Sequence, residues 1–355
     1  MKQVGVGVVG LGMGLNHARA FTEYEKAKLV ALCDIRSDLL KRACDEFKVK
    51  GYLSYDEMLQ DSGIDAVVIV TPSYEHATMG IYAALHGKHV LIEKPIATDL
   101  TAGDWLIHVC KERGVKLAGI FQSRLDPMNI KMKQIVDDGK IGKVYQIEGI
   151  LRWWRDDKTY YHANKEVEMW KGTWFGEGGG SLVNQGIHTV DQLYWMMGEV
   201  DTVYGQYDTI GHTIQAEDFC TALIRFKNGV AGYLVCTTCA PEDMQESRLS
   251  IYGDKGVLSK KVSYKGMASA GDQLTIKIGE KPAETVTEQT LKTDSLTIPK
   301  GGPHTWQCRD FIDSIIEDRD PVVTGESALK AVEIITAVYQ SALQGKPVKL
   351  PLPRY

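Results

Sequence analysis

The chain has 355 residues, of which 44% are hydrophobic and 25% are charged, a composition typical of a folded globular protein. Its 41 Lys and Arg residues against 46 Asp and Glu residues give a formal net charge of −5. This mildly acidic balance excludes the positive surface that nucleic acid or an anionic membrane would require, so neither is expected as a partner. At roughly 150 residues per domain, the length predicts two domains.

The sequence predicts a cytoplasmic protein with reduced thiols. No apolar run reaches the roughly 20 residues of a membrane-spanning helix, and five glycines interrupt the apolar start at 4–15, which argues against a signal peptide. The seven Cys residues are odd in number and scattered, as in proteins without disulfides. Cys236 and Cys239 form a single CxxC in a run of strand character, which favours core packing, and we predict no metal site.

The first third of the chain alternates short β-rich runs with stretches of helical periodicity. The runs are apolar throughout, which indicates parallel strands covered on both faces. We expect strands at 4–9, 28–33, 66–70, 89–92 and 116–121, and helices at 17–24, 37–47, 74–86 and 102–113. The pattern predicts an α/β domain over residues 1–125, with the doubly wound parallel sheet of a dinucleotide-binding Rossmann fold.

The pattern changes in the rest of the chain. Alternation over 144–153 indicates a half-buried strand, and Asn228-Gly229 and Gly253–Gly256 each separate two β-rich runs as hairpin turns do. We expect strands at 144–153, 218–226, 230–238, 248–252 and 257–264, helices at 184–197, 304–318 and 327–343, and a polar loop over 285–303. Residues 126–355 are therefore predicted to form an α+β domain for substrate binding and oligomerisation, with a large, mainly antiparallel open sheet.

A glycine-rich turn, Gly10-Leu11-Gly12-Met13-Gly14, follows the first predicted strand. In a dinucleotide fingerprint such glycines allow a tight turn and a close backbone approach, and the next helix offers free amides to the pyrophosphate. The turn departs from GxGxxG because its last glycine comes one residue early, and Leu15 holds the usual position. A plain strand-to-helix turn is the alternative.

Asp34 ends the second strand about twenty residues later, where a carboxylate binds the ribose 2′-hydroxyl and repels a 2′-phosphate. This position favours NAD over NADP as the cofactor. Arg36 could offset the preference by pairing with a phosphate, and Asp34 could instead cap the following helix.

Two further motifs follow strands at the same predicted sheet edge. They are Thr71-Pro72-Ser73-Tyr74-Glu75-His76 and Glu93-Lys94-Pro95. With the glycine turn, Gly178–Gly180, Gly186-Ile187-His188 and Asp191, the sequence resembles the Gfo/Idh/MocA family of NAD(P)-dependent sugar and polyol oxidoreductases over essentially its whole length. The resemblance implies a cofactor site formed by Gly10, Gly12, Met13, Gly14, Leu15, Asp34, Ile35, Arg36, Thr71, Pro72, His76, Glu93, Lys94 and Gln122.

Hydride removal from a carbinol requires a proton acceptor and a positive group near the oxygen. Lys94 follows a strand, at the edge where open α/β sheets bind ligands, and His188 offers an imidazole that titrates near neutral pH. Asn184 and Asp191 share a helix face with His188 by their spacing. We predict Lys94 and His188 as the catalytic residues. An exposed loop lysine and a packed histidine held by Asp191 are the alternatives.

Asn184 stands where many family members carry Asp, and an amide can neither accept a proton nor supply charge. We therefore assign Asn184 to substrate positioning. With Trp170-Lys171-Gly172-Thr173-Trp174 upstream, the segment resembles the branch that oxidises the C3 hydroxyl of glucosides or nucleotide-linked hexoses.

Aromatic rings stack on the C–H faces of sugars, while polar side chains bind their hydroxyls. The predicted substrate-binding residues are Asn184, Trp154, Arg155, Tyr161, Trp170, Gln122 and Asp191. Core and interface packing is the alternative for the aromatic residues, and Glu217 and Asp218 are interpreted as structural. The predicted substrate is a sugar, glucoside or polyol; an inositol dehydrogenase, an NAD-using glycosidase and a non-enzymatic dinucleotide-sensing regulator are the competing hypotheses. The family's open sheet also implies a homo-oligomer.

Overall fold

The computed structural model describes residues 3–265, 268–287, 290–291 and 301–354. The chain forms two compact units, the first comprising Met1–Leu125 with Ile298–Leu329, and the second Asp126–Thr297 with Lys330–Tyr355. This division differs in one respect from the predicted 1–125 and 126–355, because a segment from late in the chain joins the first unit.

The first unit contains a parallel sheet of six strands in the order β3-β2-β1-β4-β5-β6. The strands are β1 (Val4–Val9), β2 (Ala27–Cys33), β3 (Lys50–Tyr52), β4 (Ala66–Ile69), β5 (His89–Ile92) and β6 (Leu117–Gly119). The helices are α1 (Gly14–Thr22), α2 (Ser37–Phe47), α3 (Tyr55–Leu59), α4 (His76–Leu85), α5 (Leu100–Glu112) and α9 (Gly302–Ile316). The Rossmann-type sheet predicted from the apolar runs is confirmed.

The late segment joins the first unit because α9 completes its hydrophobic core. Phe311 of α9 is fully buried with Phe21 of α1 and Leu32 of β2 in one cluster. Burial of each such side chain contributes about 1.5–3 kcal/mol. The first unit therefore takes its core from both ends of the sequence.

The second unit contains a sheet of nine strands in the order β14-β13-β12-β11-β7-β10-β9-β8-β15. The strands are β7 (Val144–Arg152), β8 (Val200–Asp208), β9 (Phe219–Phe226), β10 (Ala231–Thr237), β11 (Glu246–Gly253), β12 (Gly256–Lys265), β13 (Ala268–Ile278), β14 (Glu284–Thr287) and β15 (Val348–Lys349). The helices are α6 (Pro127–Asp137), α7 (Lys165–Glu168), α8 (Ile187–Met197) and α10 (Gly325–Gln344), which begins among residues of the first unit. Only β7 and β10 pair in parallel, so within the described strands the mainly antiparallel sheet is confirmed.

Three local expectations change. The strand expected at 144–153 is confirmed as β7, but it is not half-buried throughout, because residues 147–151 are buried on both faces while Tyr145 is 52% exposed. The polar loop expected at 285–303 contains the end of β14 and the start of α9, while 288–289 and 292–300 lie outside the described residues. The helix expected from Asn184 starts with a π-helical turn, Leu182–Gly186, before α8. In the described part of the chain, no helix combines the length and apolarity needed to cross a membrane.

Candidate cofactor and substrate sites

The glycine-rich turn has the geometry that a bound pyrophosphate needs. Gly10 has φ +87°, and a Cβ there would lie 2.5 Å from the Val70 carbonyl oxygen. Gly12 is exposed, and a Cβ there would meet nothing within 4 Å. A Cβ on Gly14 would lie 3.1 Å from Val8 Cγ1. Turn, open approach and helix–strand packing are thus all present, and Gly14 performs the packing role in spite of its early position.

The start of α1 adds free donors to this turn. Among the described residues no side chain caps the helix at Met13, so its first amides remain available to an anion. Exposed Met13 and half-buried Leu15 flank the turn. The residues present therefore fit a dinucleotide phosphate.

Asp34 lies at the end of β2 beside the turn, as predicted. Its Oδ2 accepts hydrogen bonds from the Leu11 amide at 2.8 Å and from Arg36 Nη2 at 2.8 Å. Its Oδ1 accepts from Arg36 Nε and from the Arg36 amide. Burial alone would raise the pKa of Asp34, but the bonds from Arg36 and Leu11 outweigh burial and lower it. Asp34 therefore binds Arg36 and does not cap α2. Ile35, which is 86% exposed, presents an apolar side chain next to it.

His76 joins the two motif loops. One ring nitrogen lies 2.9 Å from the Thr71 carbonyl oxygen and the other lies 2.7 Å from that of Pro95. The side chain is 1% exposed. His76 thus holds the loop containing Thr71 and Pro72 against the Lys94-Pro95 turn, and its contact with the cofactor stays a prediction.

Glu93 forms a buried ion pair that the sequence did not reveal. Its Oε1 lies 2.9 Å from His17 Nε2, and its Oε2 accepts the Lys94 amide at 3.0 Å. His17 Nδ1 lies 3.4 Å from Cys308 Sγ of α9. The only available sequence signal was the position of His17 on the inward face of α1. Glu93 is therefore bound by protein groups, and it fixes the backbone at Lys94.

Gln122 follows β6 and opens a short 3₁₀ turn. In the described structure its Oε1 is buried without a hydrogen-bond partner. A buried carbonyl oxygen without a donor is unfavourable, which is consistent with the predicted contact of Gln122 with a bound ligand.

In the second unit, Asn184 belongs to a hydrogen-bonded network. Its Oδ1 accepts from the Tyr160 hydroxyl at 2.9 Å, and its Nδ2 donates to Glu177 Oε1. Glu177 is 2% exposed and also accepts the Gly172 amide. Neither Glu177 nor the role of Tyr160 was predicted. A buried carboxylate, that of Glu177, therefore holds the Asn184 amide in place.

Arg155 and Lys171 flank the same Tyr160 ring. Arg155 Cζ lies 4.8 Å from its centroid and 4.1 Å from that of Trp153. Lys171 Nζ lies 4.0 Å from the Tyr160 centroid and 5.3 Å from that of Trp170. Predicted residues Arg155 and Trp170 therefore lie in one aromatic and basic cluster, together with Asn184.

Two other predicted substrate residues border this cluster. The Tyr161 ring packs edge-on against Tyr160 with centroids 5.0 Å apart, and the Trp154 carbonyl oxygen accepts from Arg155 Nη1. Tyr161 is 1% exposed, and its hydroxyl lies 3.1 Å from Thr238 Oγ1, so it is a core residue and Tyr160 is the tyrosine beside Asn184. Half-buried Trp154 bridges to Cys239, and its backbone amide donates to Gln245 Oε1. His188 is half-buried at the start of α8, and Asp191 is fully buried one turn later.

The glycine run at 178–180 is required by protein packing. A Cβ on Gly180 would lie 1.7 Å from the Glu217 carbonyl oxygen, and one on Gly179 would lie 2.3 Å from the Tyr339 hydroxyl. The carboxylate of Glu217 accepts bonds from Ser181, Tyr339 and two backbone amides. Gly179 and Gly180 therefore pack closely against Tyr339 and Glu217, and Glu217 is structural, as interpreted from the sequence.

His212, Asp218 and Cys239 form a cluster of the kind that can hold a metal. His212 Nδ1 lies 3.0 Å from Asp218 Oδ2 and 3.5 Å from Cys239 Sγ, and its Nε2 lies 2.9 Å from the Arg155 carbonyl oxygen. Burial lowers the pKa of His212, but Asp218 and Cys239 outweigh it and raise the pKa to about 10. A protonated ring that donates on both sides is a structural link and a poor metal ligand.

Two family models match the chain. One describes an oxidoreductase family with an NAD-binding Rossmann fold and matches residues 4–121. The other describes the Gfo/Idh/MocA C-terminal domain and matches residues 129–259.

Individual relatives extend the likeness. The scyllo-inositol 2-dehydrogenase (NAD(+)) of Bacillus subtilis is 28% identical, over 99% of this chain and 98% of that protein. The myo-inositol 2-dehydrogenase of Thermotoga maritima is 30% identical, over 71% of this chain and 73% of that protein. The WlbA dehydrogenase of Bordetella pertussis, solved with NADH and UDP-GlcNAcA, is 28% identical with a TM-score of 0.85, over 99% of this chain and all of that chain.

Proposed function

This chain belongs to the Gfo/Idh/MocA family of NAD-binding oxidoreductases, and from that premise we propose that it oxidises a secondary hydroxyl, at C3, of a hexose, glucoside or nucleotide-linked sugar. The proposal rests on one arrangement in the first unit. The glycine turn follows β1 and Lys94 follows β5, and both strands belong to the same parallel sheet. Ligands bind along this edge in open α/β sheets.

The residues toward NAD follow from the geometry described. The turn at Gly10, Gly12 and Gly14 binds the pyrophosphate. Asp34 accepts hydrogen bonds from the ribose hydroxyls, which replace one of its bonds from Arg36. The Gln122 carbonyl oxygen accepts a hydrogen bond from a ligand donor. When bound, NAD supplies the acceptor for the hydride that leaves the carbinol carbon.

The protein handles the proton of the same carbinol. The Lys94 ammonium binds the oxygen and stabilises its developing negative charge. His188 accepts the hydroxyl proton, and Asn184, held by Tyr160 and Glu177, binds a neighbouring hydroxyl.

The test is NADH formation with a panel of glucosides and nucleotide-linked sugars, followed by carbon NMR of the product. We expect oxidation at C3, a fall in kcat of at least about 1,000-fold in Lys94→Ala with NAD binding retained, and partial rescue of His188→Ala by imidazole. Lys41→Ala, on the exposed side of α2, is the matched control. Unchanged turnover in Lys94→Ala would refute the assignment, and a folded, NAD-binding protein that oxidises none of the panel would refute the function.

An inositol is the second candidate substrate, because relatives that match this chain are inositol dehydrogenases. The WlbA complex with UDP-GlcNAcA favours the nucleotide-linked sugar. The ratio of kcat/KM for scyllo-inositol, myo-inositol and UDP-linked hexoses decides between these substrates.

We also propose a cytoplasmic homo-oligomer. All seven cysteines, each within the described residues, are free thiols. The nine-stranded sheet carries exposed Tyr204 and Leu223 on neighbouring strands, and a cavity of about 270 Å³ on this face is lined by these two residues together with Tyr233. Such an exposed apolar face is typical of an association surface. Light scattering is expected to give a dimer or higher, and a monomeric mass would refute the proposal.

A further inference from the structure

Arg155 carries a buried positive charge with unused donors. The residue is 5% exposed, and its Nη1 donates to the Trp154 carbonyl oxygen at 2.8 Å. In the described part of the chain, its Nε and Nη2 are buried without a hydrogen-bond partner. A guanidinium cannot lose its proton in a protein, so deprotonation cannot remove the cost of leaving these two donors without acceptors.

Lys171 is a second cation against the same Tyr160 ring. Its ammonium lies over the Tyr160 and Trp170 rings, 4.0 Å and 5.3 Å from their centroids. Glu177 already accepts bonds from Asn184 and Gly172. Burial lowers the pKa of Lys171, Glu177 opposes this, and the charge of Arg155 lowers the pKa further.

Two cations near one ring repel each other, and partial burial strengthens the repulsion. Aromatic faces reduce this cost but do not accept the planar donors of a guanidinium edge. The unpartnered Nε and Nη2 of Arg155 could be satisfied by the oxygens of an anion, and Lys171 on the same ring adds a second positive charge that favours one.

We propose that Arg155 and Lys171 form a subsite for an anionic oxygen group, a carboxylate or a phosphate, on the sugar substrate, so that acidic sugars are preferred over neutral ones. This inference rests on the proposed function and deepens it. The subsite lies beside Asn184, because the hydroxyl of the shared Tyr160 ring donates to Asn184 Oδ1. A substrate hydroxyl bound by Asn184 therefore lies one aromatic ring away from the two cations.

The kinetic test compares matched substrates. Methyl glucuronide against methyl glucoside tests a carboxylate, and UDP-glucose or glucose 1-phosphate against glucose tests a phosphate. The wild type is expected to prefer the acidic member of at least one pair. In Lys171→Gln and Arg155→Gln this preference should fall by about 10- to 100-fold, the size expected for lost charge-assisted hydrogen bonds. Lys165→Gln, an exposed lysine of the same unit, should keep the ratio.

A binding test separates this subsite from the proposed reaction. The protein loaded with NADH is titrated calorimetrically with glucuronate, glucose 1-phosphate and glucose, and thermal midpoints verify that each variant folds. Tighter binding of an anion that weakens in Lys171→Gln supports the subsite even if no sugar is oxidised. Equal binding of acidic and neutral sugars, or an unchanged preference in folded variants of both residues, would overturn it.

Discussion

Glu93 and His17 join two distant parts of the cofactor-binding unit through one buried ion pair. Their side chains are 13% and 2% exposed, and Oε1 lies 2.9 Å from Nε2. Burial raises the pKa of Glu93, but His17 outweighs it and lowers the pKa to about 2. Burial lowers the pKa of His17, but Cys308 and Glu93 raise it to about 10. The pair therefore stays ionised at neutral pH and holds α1 to the residue before Lys94.

Removing one partner should destabilise the protein strongly. In His17→Gln the Glu93 charge remains buried without its cation, and we expect a loss of about 3–5 kcal/mol in the free energy of unfolding. Urea denaturation measures this loss. In His17→Gln/Glu93→Gln the loss should be smaller than the sum of the single losses. As a control, Arg19→Gln breaks an exposed ion pair with Glu46 and should cost less than about 1 kcal/mol. Strictly additive losses from His17→Gln and Glu93→Gln would contradict the coupling between these two residues.

The same pair gives a pH window for stability. Because folding lowers the pKa of Glu93 from 4.5 to about 2, the ionised carboxylate stabilises the fold above about pH 4.5. This stabilisation is lost as the pH falls toward about 2. Because folding raises the pKa of His17 from 6.5 to about 10, the protonated ring stabilises the fold below about pH 6.5. This stabilisation is lost as the pH rises toward about 10. The stability difference between wild type and His17→Gln/Glu93→Gln should peak between about 4.5 and 6.5. A difference that does not vary with pH would disprove the assignment.

The glycines of the turn should separate folding from cofactor binding. Gly12→Ala places its methyl group in open space, so we expect normal stability with NAD affinity reduced about 10-fold or more, because the methyl group occupies the approach to the pyrophosphate. Gly10→Ala should instead destabilise the fold, because φ is +87° and the added Cβ would lie 2.5 Å from the Val70 carbonyl oxygen. Thermal unfolding and NADH fluorescence titration measure the two effects. Normal NAD affinity in Gly12→Ala would place the pyrophosphate elsewhere.

Cofactor preference should depend on Asp34 and Arg36 together. Asp34→Ser removes the carboxylate that accepts from Arg36 Nε and Nη2, so these two donors become able to bind a 2′-phosphate. We expect the ratio of kcat/KM for NAD over NADP to fall about 100-fold or more. Asp34→Ser/Arg36→Ser should lose NADP turnover again, and an unchanged ratio in Asp34→Ser would exclude this role.

Sequence patterns predicted the first sheet well because its strands are buried on both faces. β1 coincides with the expected run at 4–9, and the expected helix at 37–47 coincides with α2. Short edge elements gave no such signal: β3, of three residues, was missed. The joining of α9 to the first unit was also missed, because periodicity identifies a helix but not its packing partner.

The candidate site was predictable where motifs mark it and not where burial decides. Asp34 lies where its spacing placed it, whereas Tyr161 is in the core and Tyr160 bonds to Asn184. Adjacent tyrosines look alike in sequence, and only the local backbone separates their environments. Glu177 belongs to no pattern, since a buried acid is recognisable only by the donors that surround it.

The packing of Phe311 and Ile312 with Phe21 has a consequence for biosynthesis. A ribosome that has released only the first 125 residues has made every strand of the parallel sheet but not the helix that covers part of its core. The nascent nucleotide-binding unit must wait through synthesis of most of the polypeptide before its apolar surface is closed. Premature termination before α9 would therefore leave a fragment with exposed apolar surface, which chaperones would bind, and not a small independent domain.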